Sequence, residues 1–98
     1  MIAYDLDGTL PPGTYPPEGA VVVTGRTFEE WDDRVRDMAM HAPVYVRGVG
    51  KVGDREHAAL FKAEVISLLG ITVFYEGDDE QVQIILEHCP WVEIRRPA

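Results

Sequence analysis

Ninety-eight residues, 46% of them hydrophobic, make one domain (residues 1–98) with a single core and leave no room for a separate substrate domain. A net charge of −8 with no cluster of lysines or arginines argues against a grip on a nucleic-acid backbone, so no sequence-specific nucleic-acid binding is expected. The single cysteine, Cys89, excludes an intramolecular disulfide framework, and no apolar run nears the roughly 18 residues of a membrane span, so a soluble cytoplasmic protein with no membrane partner is expected.

The first predicted element is a short apolar strand, Ile2 to Tyr4, which stops at "DLDGT", Asp5 to Thr9. Next comes "PPGTYPPEG", Pro11 to Gly19, whose four prolines forbid a helix interior. Nine extended residues span about 30 Å, enough to run back along a short strand without the usual covering helix. The β-branched "VVV" at Val21 to Val23 is a second strand of the buried parallel kind, closed by Thr24 and Gly25. Thr27 with Glu30 makes a capping-box signature, and Phe28, Trp31, Val35 and Met38 then recur at helical spacing. Pro43 to Val46 is a third strand, followed by the glycine-containing loop "GVGKVGD" that carries Lys51. Its resemblance to a phosphate cradle is weak because no "GK[ST]" pattern follows the glycines.

From about Asp54 to Leu69, Ala58, Phe61, Val65 and Leu68 form a helical stripe, with Gly70 in the C-cap position. Lys62 flanks that stripe: Ala58, Val65, Ile66 and Leu69 are its neighbours at i−4, i+3, i+4 and i+7. Either its ammonium reaches inward, or its stem lies on apolar surface with the head in water. Ile71 to Tyr75 is the fourth strand and runs into the acidic turn "EGDD", Glu76 to Asp79. A third helix, capped by Asp78 or Asp79, carries Val82, Ile85, Leu86 and Cys89 and stops at Pro90. Trp91 to Ile94 alternates as an edge strand should.

Five strands alternating with three helices predict an α/β fold with a parallel sheet and right-handed crossovers. In such sheets ligands bind beyond the carboxyl ends of the strands. Asp5, Asp7 and Thr9, then Thr24 and Gly25, then Glu76, Asp78 and Asp79 all fall there. Carboxylates gathered in one small volume repel one another and call for a cation or a proton, and oxygen-only donors favour Mg²⁺. His41, His57 and His88 lack metal-ligand spacing. Cys89 lies on an apolar stripe and is assigned to packing.

"DLDGT", "VVVTGR" (Val21 to Arg26), the helical Lys62 and "YEGDD" (Tyr75 to Asp79) together resemble the four ordered motifs of the haloacid dehalogenase (HAD) superfamily over nearly the whole chain. The resemblance implies a three-layer Rossmann-like fold with sheet order 5-4-1-2-3, here without a cap domain and without a helix between the first two strands. It also implies a phosphatase that uses Asp5 as nucleophile, Asp7 as general acid and base, and Thr24 as a hydrogen-bond donor to a phosphoryl oxygen. Thr9, Gly25 and Lys62 would complete the substrate contacts, with Lys51 the competing lysine. Mg²⁺ would sit between Asp5, the Asp7 carbonyl and either Glu76 or Asp78. An open site suits a small phosphoester or a phosphorylated nucleic-acid end, the latter because the superfamily includes the phosphatase halves of nucleic-acid end-repair enzymes. Its alternative is an inactive or weakly active binding module on the same fold. A sheet face with only one helix calls for a covering partner, and self-association as a homo-oligomer would supply one. Light scattering that shows only an 11 kDa species at every concentration would defeat that expectation.

Overall fold

The computed structural model describes residues 1–97. Its strands are β1 (Ile2–Tyr4), β2 (Val21–Thr27), β3 (Val44–Gly48), β4 (Val73–Tyr75) and β5 (Glu93–Arg95). Its α-helices are α1 (Asp33–Ala39), α2 (Arg55–Leu69) and α3 (Asp79–His88). The five strands form one all-parallel sheet in the order β3-β2-β1-β4-β5, which is the expected 5-4-1-2-3 viewed from the other edge.

Side chains of β2 point alternately to the two faces of the sheet and so divide the core. Val21 and Val23 join Ala3 and Phe74 beneath Ala59, Ala63 and Ile66 of α2 and Ile85 of α3. Val22 instead joins Val35 and Met38 of α1. Two helices therefore cover one face, and α1 covers part of the other. No helix lies between β1 and β2. The connecting segment buries Leu6 and Leu10 in the α1 cluster, where a helix would otherwise pack. It is pinned there by Tyr15, whose hydroxyl donates to Asp37 at 2.5 Å and whose ring stacks on His41.

In the second half of the chain α2 keeps its predicted bounds, whereas β4 and β5 each begin two residues later than expected, at Val73 and Glu93, which leaves Trp91 exposed in the turn before β5. Asp54 caps α2 by accepting from the His57 N–H at 2.9 Å, and Gly70 ends the helix at φ +66°, a left-handed conformation that glycine adopts without cost. Asp78, not Asp79, caps α3.

Three expectations need correction. β2 runs on through Thr24 and Gly25 to Thr27, because β3 pairs with it as far as Gly48 across an irregularity between Thr24 and Thr27. Glu30 does accept from the Thr27 N–H, but that contact caps only one 3-10 turn, Phe28–Glu30; α1 starts later, with Asp32 as its own cap. Phe28 and Trp31 are consequently exposed at the carboxyl edge of the sheet. Leu68 and Leu86 also face solvent, because α2 and α3 turn their Ala-rich and Val/Ile surfaces inward. No helix among the described residues is long and apolar enough to cross a membrane.

Candidate active site

Hydrogen bonding continues one residue past β1 and β4: the Asp5 N–H donates to the Tyr75 carbonyl and the Glu76 N–H to the Arg95 carbonyl, each at 3.0 Å. Since Tyr4 lies opposite Tyr75, Asp5 and Glu76 become lateral neighbours at the carboxyl edge of the sheet. Both side chains are buried, and Lys62 descends from α2 between them. Its Nζ lies 2.9 Å from Asp5 Oδ1, 2.7 Å from Glu76 Oε1 and 2.7 Å from Gln81 Oε1. Three ammonium protons thus meet three acceptors.

The lysine reaches that depth because α2 rests directly on the backbone of β2. A Cβ placed on Gly25 would come within 2.4 Å of the Ala58 Cβ, so glycine at this point sets the height of the helix, and Lys62 follows one turn after Ala58. Of the two readings of Lys62, the structure shows the inward one.

Two buried carboxylates against one ammonium leave an excess negative charge. Burial pushes the Asp5 carboxyl up to about 7, with Glu76 adding to the rise and Lys62 opposing it. Burial works to lower the Lys62 ammonium, but Asp5 and Glu76 outweigh it and hold it above its ordinary value. The second oxygen of Asp5 accepts from the Thr9 hydroxyl at 3.3 Å. Glu76 Oε2 accepts from the N–H groups of Gly77 and Asp78.

At the mouth the acids are paired with arginines. Arg26 holds Asp7 through two parallel bonds, of 3.0 and 2.8 Å, and reaches Asp32 at 2.9 Å. These bonds keep the Asp7 carboxyl below its ordinary range. Arg55 grips Asp78 in the same way, at 2.9 and 2.8 Å, and holds that carboxyl down to about 2. Asp5, Asp7, Gly25, Lys62, Glu76 and Asp78 share the walls of one cleft of about 300 Å³ with these arginines.

Three residues singled out from sequence stand elsewhere, the first being Thr9, which is buried against Asp5 and is not among the residues lining the cleft. Thr24 is buried behind the cleft, where its hydroxyl accepts from the Arg26 N–H at 3.2 Å. Lys51 lies exposed on the loop after β3 and is not among the residues lining the cleft. Arg26, Arg55 and Gln81 were not assigned a role from sequence. Arg26 stands inside the quoted "TGR", and Arg55 and Gln81 each follow an N-cap aspartate within three residues, so position in the turn was the available signal.

Among the described residues no three acidic, histidine or cysteine side chains are grouped to hold a metal ion. The donor chemistry nevertheless suits a hard cation: every acid lining the cleft offers oxygen, and its centre carries uncompensated negative charge. Mg²⁺ commonly takes only one or two carboxylates and keeps several waters, so a closed cage of acids is not required.

No protein-family model, curated protein or solved structure matches the chain.

Proposed function

We propose that the protein is a Mg²⁺-dependent phosphatase with a cap-less, three-layer HAD-like fold, hydrolysing phosphomonoesters through an aspartyl-phosphate on Asp5. The observation that carries this reading is the Lys62 ammonium, buried between Asp5 and Glu76 at the carboxyl edge of a parallel sheet. Burying charge in this way is costly, and a purely structural contact would be served as well by apolar side chains.

In the first step the Asp5 carboxylate attacks phosphorus, and the bond from phosphorus to the leaving oxygen breaks as Asp7 supplies a proton. In the second step Asp7 takes a proton from water, whose oxygen attacks phosphorus and returns Asp5 as a free carboxylate. Lys62 offsets charge on Asp5 throughout, and the Thr9 hydroxyl holds the other Asp5 oxygen in place. Arg26 must exchange Asp7 for a phosphoryl oxygen before Asp7 can carry a proton. Asp5, the main-chain carbonyl of Asp7 and either Asp78 or Glu76 would hold Mg²⁺. When bound, the ion offsets the negative charge that would otherwise repel the phosphate dianion.

Phosphate release from an aryl phosphate, with and without Mg²⁺, tests the assignment against Asp5→Asn. Metal-dependent turnover lost in the variant is expected. The second reading, a binding module that retains the fold, draws on the full engagement of both Asp7 oxygens by Arg26. Mg²⁺-dependent thermal stabilisation that Asp5→Ala removes, together with no turnover of any phosphomonoester, would favour it.

A further inference from the structure

Asp7, as the residue that protonates the leaving oxygen, marks where the alcohol half of a substrate must lie. Two depressions open beside it. One is bounded by Glu29, Glu30, Trp31 and Asp32 with Arg26, the other by Asp78, Asp79 and Glu80 with Arg55. Both exits are acidic, and the arginines on them are already committed. Arg26 is divided between Asp7 and Asp32, and Arg55 between Asp78 and Glu80; Arg96, close by, pairs with Asp79. Of the other cations that line the cleft, Lys62 is 2% exposed and faces inward, and Arg47 is 7% exposed with its guanidinium held by the Gly25, Val49 and Lys51 carbonyls and the His57 ring. A leaving group that carries further negative charge would therefore find no free positive partner along either exit. One that carries positive charge would meet carboxylates and, on the first exit, the exposed indole of Trp31.

We propose that the cleft selects its substrate by the charge of the leaving group, favouring phosphomonoesters of cationic or neutral alcohols over those of anionic ones such as nucleic-acid ends. This rests on the phosphatase reading. Arg26, once it leaves Asp7, and Mg²⁺ when bound would serve the phosphoryl group itself, whereas the acids at the exits act on whatever is attached to it. Their field extends about 8–10 Å at physiological ionic strength, which spans a small alcohol.

The test uses three phenyl phosphates bearing a trimethylammonio, an acetamido or a carboxylate substituent, each followed in Mg²⁺ from about 20 to about 500 mM NaCl. Comparing each substrate with itself across salt removes differences in leaving-group reactivity. Relative to the neutral ester, whose salt response reports the phosphoryl dianion that all three share, raising the salt is expected to lower kcat/KM for the cationic ester and raise it for the anionic one, changing their ratio about tenfold. Glu29→Lys, on the rim and outside the proposed catalytic set, is expected to raise kcat/KM for the anionic ester about 2–5-fold and leave the neutral one unchanged. Turnover of all three with the same salt response would overturn the charge selection and leave the phosphatase standing. No turnover of any would remove the phosphatase reading and the selection with it.

Discussion

With two carboxylates and one ammonium buried together, one negative charge has no partner, and a proton on Asp5 relieves it. The folded chain therefore holds that proton up to about pH 7, whereas the unfolded chain releases it near 3.8. A raised carboxyl contributes stability below its unfolded value and loses it as pH climbs through the folded one. In the absence of metal, Asp5→Asn should match the unaltered protein near pH 4 and exceed it by about 4 kcal/mol at pH 8, as read by urea denaturation across pH. A difference that does not change with pH would refute the charge imbalance. Lys62→Met should act in the opposite sense, costing about 3–5 kcal/mol at pH 7 because it leaves both acids unpaired, and less at pH 5, where Asp5 is protonated. Sequence alone placed Lys62 beside an apolar stripe and left both orientations open. What decides between them is long-range: Asp5 and Glu76 become neighbours only through strand pairing between segments far apart in the chain.

Among the elements, the meeting of β2 and α2 controls the site. Gly25→Ala would drive a methyl into Ala58, lift the helix and with it Lys62, and cost about 1–3 kcal/mol. Ala58→Gly in the same chain should recover much of the loss; thermal melts of the two single variants and the pair check this, and simple additivity would rule the contact out. Boundaries set by local chemistry were legible. Gly70 closes α2 where turn-residue rules put it, α2 begins next to the expected Asp54, and Asp78 is one of the two caps that the sequence offered for α3. The start of α1 was not. The Thr27 to Glu30 signal satisfies one turn in a 3-10 geometry as well as in an α-helix, and Asp32 offers a second cap that prevails. The expected stripe on α2 holds at Ala58 and Val65 but fails at Leu68, because periodicity marks large apolar residues whereas close approach to the sheet also buries Ala59 and Ala63.

For the molecule as a whole, the alternation of strands and helices in a parallel sheet was legible from composition, whereas the strand order, expected only from the motif resemblance, is the one observed. The segment that replaces the first helix was legible only as a non-helix; its burial of Leu6 and Leu10 and its anchor at Tyr15 emerge from tertiary packing. At pH 8 millimolar Mg²⁺ should raise the melting temperature by several degrees through the charge it neutralises, and Asp5→Asn should remove most of that shift. Equal shifts in both proteins would place the ion elsewhere. The cleft lies at the end of a sheet whose described connections include no helix or lid folded across it. A phosphorylated Asp5 would then be open to any small hydroxyl compound as well as to water. Glycerol or ethanol in the assay should divert part of the phosphoryl group to a new ester, making the protein a transferase in proportion to the alcohol supplied, with phosphate release lagging behind phenol release by that share.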